Sequence, residues 1–195
     1  MNHNAVLALL AFAFVTSITP GPNNLMLMAS GANFGLRRTV PHMLGVGLGF
    51  VVLIILVGIG LVELFDLWPA SYTVLKVLSI GYMLWLAWKI GSGTAPQSVE
   101  AGARPLTFLQ AAAFQWVNPK ALTMALSACT VYAPNHDLLS VLWVAALFGL
   151  VNFPCVSAWA VVGEALRKWL SNPRRLRLFN WTMAAMLVAS LAMMI

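Results

Sequence analysis

The chain has 195 residues, of which 61% are hydrophobic and only 8% are charged, and its mean hydropathy is +0.87. Soluble globular domains carry about 25% charged residues, so this composition excludes that class. The net charge of +6 suits membrane topology and attraction to lipid headgroups, and no nucleic-acid partner is expected from it. The sequence therefore predicts an all-α integral protein of the lipid bilayer.

Six apolar segments are each long enough to cross a hydrocarbon core of about 30 Å as a helix. They are residues 5–33, 40–62, 71–91, 106–131, 138–163 and 178–195. The first segment has no basic residue before it and no small-residue cleavage pattern near its end, so we expect it to stay in the mature protein. The prediction is six transmembrane helices.

Nine of the eleven basic residues lie in alternate connections, and the other two, Lys76 and Lys120, lie within predicted segments. The connections after segments one, three and five hold Arg37, Arg38, Lys89, Arg104, Arg167, Lys168, Arg174, Arg175 and Arg177. Because cytoplasmic connections retain Lys and Arg, both ends of the chain are predicted to lie outside. Three acidic residues would then lie at the outer surface: Glu63, Asp66 and Asp137.

The longest connection, residues 92–105, is rich in Gly, Ser, Ala and Pro and is expected to be a mobile cytoplasmic linker. It divides the single transmembrane domain, residues 1–195, into halves 1–91 and 106–195 with three segments each. Since three is odd, the second half begins on the opposite side of the membrane. We expect two inverted three-helix repeats.

The first segment of each half is interrupted at a similar depth. The interruptions read TPGPNN over residues 19–24 and QWVNPK over residues 115–120. Paired Pro-containing breaks in corresponding positions of two inverted halves are typical of a transport site near the membrane midplane. This pattern indicates where the two halves meet around a solute.

Proline has no N–H and a fixed φ, so it breaks the helix before it but suits the first turn of a new one. We expect Asn118 to cap a helix that begins at Pro119, and either Gly21-Pro22 or Thr19-Pro20 to play the same roles in the first segment. Two half-helix N-termini would then point into the protein with unpaired N–H groups. Such ends attract a carboxylate.

Amide side chains in the two breaks add both donors and acceptors, which suits a small zwitterionic substrate with a carboxylate and an ammonium group. The predicted substrate-binding residues are Pro20, Gly21, Pro22, Asn23, Asn24, Gln115, Asn118, Pro119 and Lys120.

Lys120 is the one formally charged residue near mid-depth of a predicted segment. A lysine there costs at least about 2.5–3.5 kcal/mol, so it requires compensation. It is either a partner for the substrate carboxylate or a proton carrier, or else it reaches a water-filled cavity or caps carbonyls of the broken helix. Lys76 lies near the outer end of segment three and is expected to extend outward.

Other features leave alternatives open. Asn152 and Pro154 interrupt segment five near its middle. They form either a hinge or wall of the substrate path, or a tolerated kink in which Asn152 bonds to freed backbone carbonyls. The spacings Gly31-x-x-x-Gly35 and Gly45-x-x-x-Gly49 suit close helix packing within the monomer, which we favour, or a homodimer contact. Cys129 and Cys155 are expected to lie at different depths as buried thiols.

These motifs together resemble the LysE/RhtB family of bacterial amino-acid exporters. The resemblance rests on residues 19–24 and Asn118-Pro119-Lys120-Ala121, with Gly31, Gly35, Arg37-Arg38, Gly45, Gly49 and Gly81-Tyr82 in matching order. It implies a secondary exporter of the bacterial cytoplasmic membrane, driven by an ion gradient, and neither an enzyme nor a protein with a cofactor. The sequence contains no P-loop pattern for ATP binding, which agrees with secondary transport.

The chain departs from the family at one informative position. Many members carry an acidic residue just after the glycines of segment two, where this sequence has Phe50. A proton antiporter would then need Lys120, the substrate or His42 as its carrier, although His42 suits the membrane interface. Without a carboxylate at mid-depth, small neutral amino acids are the expected substrates.

Two other classes of membrane protein would require residues that this sequence lacks. A membrane enzyme that relays electrons between thiols would need cysteines beside the broken-helix prolines, where this chain has Asn and Lys. An exporter of a metal ion or another solute would need clustered His, Cys or carboxylate ligands in the segments, and the sequence shows none there. The amino-acid exporter is the preferred hypothesis.

Overall fold

The computed structural model describes residues 3–61, 70–92, 104–135 and 137–191, and these ranges form α-helices and short helical turns without a β-strand. The α-helices are α1 (His3–Ile18), α2 (Pro22–Phe34), α3 (Leu36–Leu56), α4 (Ala70–Gly91), α5 (Phe108–Phe114), α6 (Pro119–Tyr132), α7 (Leu138–Leu166) and α8 (Pro173–Leu191). A π-helical turn, Val57–Leu61, extends α3, and a 3₁₀ turn, Gln115–Val117, follows α5. The all-α prediction is confirmed for these residues.

Both predicted helix breaks are present. Helices α1 and α2 meet at an angle of 54° across residues 19–21, and α2 begins at Pro22 after Gly21. In the second half, Asn118 caps α6, whose first residue is Pro119. Proline therefore restarts a helix in both places, as its fixed φ and missing N–H favour.

Helices α3 and α8 begin at Leu36 and Pro173, at least a helical turn before the predicted segments 40–62 and 178–195. Helix α3 starts at Leu36 because Gly35, with φ of 85°, ends α2, and because the Leu36 N–H is held by Glu164 Oε2 at 2.8 Å. Helix α8 starts at Pro173, where Asn172 Oδ1 accepts the Arg174 N–H at 2.9 Å. Four of the basic residues assigned to connections therefore lie in the first turns of these two helices, namely Arg37, Arg38, Arg174 and Arg175. Linker residues 93–103, Glu63 and Asp66 lie outside the described residues.

Helix length and hydropathy indicate which helices can cross a membrane. Among the described residues, two helices are long and apolar enough to cross a membrane alone, Leu36–Gly60 and Leu138–Leu166. The bent pair α1 and α2 is long and apolar enough when the two helices are counted together as one broken span. The chain is thus a membrane protein by composition and by these apolar helices. The six-span arrangement stays a prediction.

Helix α7 lies at the centre and packs against α1, α2 and α3. Phe148 on α7 anchors an aromatic cluster, with its ring centroid 5.2 Å from Phe50 and 5.8 Å from Phe12. The interruption expected in segment five does not break the helix, since α7 continues through Pro154. Proline removes one backbone hydrogen bond there, and packing on three neighbouring helices holds the rest of the helix.

The glycine spacings serve contacts inside the chain. A Cβ on Gly31 would clash with the Ala160 carbonyl of α7, and a Cβ on Gly49 would lie 2.6 Å from Ala112 Cα of α5. Gly45 likewise faces the backbone of Phe108. Of the two alternatives, close packing within the monomer is the one that the structure contains.

Several residues named individually in the sequence analysis differ in their burial. Cys129 and Cys155 are buried free thiols, and Lys76 is exposed on α4. Asp137 is exposed and caps α7, where the hydrogen bonds from Ser140 hold the pKa of its carboxyl below the usual value. His42, which was expected at the membrane interface, has a side chain that is buried in the protein and only 2% exposed.

We predict that Gly31→Ala lowers the thermal stability of the purified protein in detergent, because the added methyl must push α7 away. Overpacking of this kind costs about 1–3 kcal/mol and outweighs the gain in helix propensity. Gly81→Ala is the matched control, since a Cβ at Gly81 has no heavy atom within 4 Å among the described residues. Equal melting temperatures for the two variants would contradict the close contact.

Candidate functional site

A narrow cleft lies where α1 ends and where α2 and α6 begin. Its lining comes from α1, α2, α3, α6 and α7 and from the residues between helices, namely Thr16, Ser17, Gly21, Asn23, Asn24, Phe50, Asn118, Lys120, Ala121, Met124, Asn152 and Val156. Its empty volume is about 300 Å³, but the centres of water molecules can reach only about 20 Å³ of it. In this conformation the cleft holds little more than a water molecule.

Side chains from other elements cap the carbonyl end of α1. Asn24 Nδ2 donates to the Ser17 and Thr19 carbonyls, both at 2.8 Å, and Trp159 Nε1 donates to the Ile18 carbonyl at 3.2 Å. The last carbonyls of a helix have no partner in that helix, and inside a membrane no bulk water replaces one. These side chains make the break tolerable.

Lys120 completes the cap from the second half of the chain. Its Nζ donates to the Thr19 carbonyl at 2.7 Å, to Thr19 Oγ1 at 2.9 Å and to the Pro20 carbonyl at 3.2 Å. An ammonium group has three N–H donors, so all three are used. Gly21 leaves room for this chain, because a Cβ there would lie 2.7 Å from Lys120 Cδ. Of the roles considered for Lys120, carbonyl capping is the one present in the structure.

The two half-helix N-termini differ. Helix α2 begins at Pro22, and its N-cap residue Gly21 supplies no side-chain cap. In α6 the Asn118 Oδ1 accepts the Lys120 N–H at 3.2 Å. The predicted N-cap role of Asn118 is confirmed, and its side chain satisfies one of the N–H groups at the start of α6 that were expected to be unpaired. The first turn of α2 is the end that retains free donors for an anion.

A pair of amides joins the two breaks directly. Asn23 Nδ2 donates to Gln115 Oε1 at 2.8 Å, and Gln115 Nε2 donates back to Asn23 Oδ1 at 3.3 Å. Gln115 is fully buried and also donates to the Ala111 carbonyl at 2.8 Å. The amide pair therefore holds the start of α2 against the end of α5.

Asn152 places an unsatisfied acceptor on the wall of the cleft. Its Nδ2 donates to Ser17 Oγ at 2.9 Å, while its buried Oδ1 has no hydrogen-bond partner among the described residues. Buried polar atoms are nearly always paired. An N–H group of a bound molecule would satisfy this oxygen. The predicted bond from Asn152 to carbonyls of its own helix is replaced by the bond to Ser17.

The predicted site residues divide into two groups. Six line the cleft: Gly21, Asn23, Asn24, Asn118, Lys120 and Asn152. Five support it or lie outside it: Pro20, Pro22, Gln115, Pro119 and Pro154. The cleft is thus built from both breaks and from α7.

Several cleft residues were not predicted. Ser17 and Thr16 precede the first break, and Met124 and Val156 form apolar walls. Phe50 was noted only as a departure from the family pattern, and it also lines the cleft. Only Ser17 and Thr16 carry a sequence signal, as polar residues in an apolar helix.

No group of three or more His, Cys, Asp or Glu side chains suited to a metal occurs in the described parts of the chain.

We predict energetic coupling between Asn23 and Gln115. Asn23→Ala or Gln115→Ala leaves a buried amide unpaired and costs about 1–3 kcal/mol, while the double variant costs about 1 kcal/mol less than the sum. A double-mutant cycle of unfolding free energies in mixed micelles measures this. The reference pair is Asn33 with Asn180, which exchange similar bonds at 3.0 and 3.3 Å away from the cleft. Strictly additive costs for Asn23 and Gln115 would show that their contact is not formed.

Curated sequence relatives cover most of the chain. A "Cysteine/O-acetylserine efflux protein" of Klebsiella pneumoniae is 28% identical over 194 residues, covering 96% of this chain and 95% of the relative. The protein of that name from Escherichia coli strain K12 is 28% identical over 171 residues, covering 86% and 87%. No solved structure matches the chain.

The family signature covers nearly the whole chain. Residues 14–194 match the LysE type translocator family, a span that contains both helix breaks and every residue of the cleft. A translocator carries its solute across the membrane without converting it, so the chain is a transporter and no enzyme. By this match, the chain belongs to the LysE type translocator family.

Proposed function

We propose that this protein exports small neutral amino acids across the bacterial cytoplasmic membrane by secondary transport. One observation carries the proposal: the cleft places the Lys120 ammonium and the unpaired Asn152 Oδ1 in one lining. The ammonium suits a substrate carboxylate, and the amide oxygen suits a substrate ammonium. The free N–H groups at the start of α2 add to the carboxylate site.

The lining favours a substrate without a second charge. Lys120 is the only charged residue among the described residues that line it. Phe50, at the position where many members of the family carry an acidic residue, supplies no carboxylate for a cationic side chain. Phe50 is packed against Phe148 and is 2% exposed, so this wall is apolar. The names of the relatives, which specify cysteine and O-acetylserine, denote small amino acids and support the same class here.

Substrate binding would loosen the link between the two breaks. Because the Lys120 ammonium already donates to three oxygens of Thr19 and Pro20, it can bind a carboxylate only by giving up some of them. The carbonyl end of α1 then loses part of its cap. Binding therefore favours a movement of α1 relative to α6, and this movement widens the narrow cleft.

Alternating access is the mechanism that we infer from this exchange, with six spans in two inverted halves. The connections rich in basic residues come together at one end: Lys89 and Arg104 line the same cavity as Phe34, and Glu164 near Arg167 bonds to Leu36. The positive-inside rule makes this end cytoplasmic, with both ends of the chain outside. The proton gradient is the proposed driving force.

We predict that Lys120→Ala and Asn118→Ala reduce uptake of labelled neutral amino acids into inside-out vesicles by at least about tenfold at low substrate concentration. Loss of the hydrogen bond from Lys120 to the substrate carboxylate costs about 1.5–3 kcal/mol, which gives this factor. Loss of the Asn118 cap on the Lys120 N–H displaces the same residue. Uptake is compared with and without an imposed pH gradient, at equal amounts of inserted protein. Lys76→Ala, which removes an exposed lysine from α4, is the control and should transport normally.

Full transport by both cleft variants would refute the site. Uptake of cationic but not neutral amino acids would refute the substrate class. Equal uptake with and without the pH gradient would refute proton coupling and leave the other two conclusions standing.

We predict a specific change in ligand preference for Asn152→Ala. The wild type should be inhibited by a neutral amino acid much more strongly than by the same molecule without its amino group, because Asn152 Oδ1 accepts from the ammonium. In the variant this preference should fall about tenfold, the value of a hydrogen bond to a charged group. Competition against labelled substrate measures both constants. An unchanged preference would show that Asn152 does not bind the ammonium.

A further inference from the structure

A second cavity lies along α2, beyond the cleft. It is bounded by α2, α3, α4 and the residues just before α5, and its empty volume is about 680 Å³. The centres of water molecules can occupy about 150 Å³ of it, far more than in the cleft. A cavity of about 150 Å³ is large enough to hold a small molecule.

The cavity combines apolar walls with a basic opening. Met26, Leu86 and Leu106 form part of its walls and are buried, whereas Lys89 and Arg104 line it and are exposed. The Lys89 Nζ lies 5.0 Å from the centre of the Trp85 ring, a cation–π contact that holds the side chain in place. The opening is therefore suited to an anionic group, and the interior to an apolar one.

His42 provides an unsatisfied polar group in the interior. Its side chain lines the cavity and is 2% exposed, and neither ring nitrogen has a hydrogen-bond partner in the described structure. A neutral imidazole has one donor and one acceptor, and leaving both unpaired away from water is costly. A molecule in the cavity that carries polar groups would pair with them.

Helix α2 connects the two cavities. Its first turn supplies Asn23 and Asn24 to the cleft, and its later turns supply Ser30 and Asn33 to the second cavity. With a rise of about 1.5 Å per residue, Asn24 and Ser30 are about 9 Å apart along the axis. The two cavities therefore lie less than two helical turns apart along α2.

We propose that this second cavity is a loading subsite, which binds the amino acid from the cytoplasm before it reaches the cleft. Lys89 and Arg104 bind its carboxylate at the opening, and the His42 imidazole pairs with a polar group further in. The apolar walls accept a short, uncharged side chain. The subsite rests on the proposed function and orientation, and it deepens them by defining where selection of neutral carboxylate-bearing substrates begins.

The test compares saturation curves for uptake of a labelled neutral amino acid into inside-out vesicles. Lys89→Gln combined with Arg104→Gln should raise the half-saturating concentration about tenfold and leave the maximal rate unchanged, since the cleft is intact. Lys76→Gln on the same helix α4 is the matched control and should leave both values unchanged. The amide of the amino acid, which lacks the carboxylate, should inhibit the wild type poorly.

His42 is tested by a pair of variants. His42→Leu should raise the half-saturating concentration, whereas His42→Gln, which keeps a donor and an acceptor, should restore most of the affinity. A merely structural role would instead lower the amount of inserted protein or the maximal rate for both variants.

The outcomes separate this inference from the proposed function. Wild-type uptake with unchanged half-saturation in the Lys89, Arg104 and His42 variants would overturn the loading subsite and leave the exporter intact. Wild-type vesicles that take up no amino acid would refute the exporter, and the subsite with it.

Discussion

The contact between Lys120 and the end of α1 is the interaction on which the site depends. A charged lysine and a set of free helix carbonyls are each unfavourable in a membrane interior. Here each relieves the other, since the Lys120 ammonium donates to two carbonyls and one hydroxyl oxygen of Thr19 and Pro20. The two residues at this contact are about 100 positions apart in the chain, so it also joins its two halves.

Close helix packing surrounds this polar centre. Helix α7 contacts α1, α2 and α3, with Gly31 and Gly163 allowing its backbone to approach α2. Such contacts leave little freedom for α2 and α7 to move apart, while the centre is held by exchangeable hydrogen bonds. We infer that movement during transport occurs at the breaks and leaves the α2–α7 contact intact.

Residues with strong local constraints were predictable from the sequence. Proline and glycine determine backbone geometry at the residue itself, so the breaks at Gly21-Pro22 and Asn118-Pro119 followed from the sequence. Long-range contacts were not predictable in this way. Nothing local shows that Ser17 binds Asn152 or that His42 faces a cavity, because both depend on how distant helices pack. Pro154 shows the opposite case, since α7 remains helical through a residue that locally disfavours a helix, where it packs against neighbouring helices.

The central claim is that substrate replaces the end of α1 as the partner of Lys120. A structure of the protein with a neutral amino acid bound tests it most directly. The account predicts the substrate carboxylate within hydrogen-bond distance of Lys120 Nζ, the Thr19 carbonyl released from it, and the substrate ammonium beside Asn152 Oδ1. A bound amino acid elsewhere, with all three bonds from Lys120 to Thr19 and Pro20 retained, would contradict it.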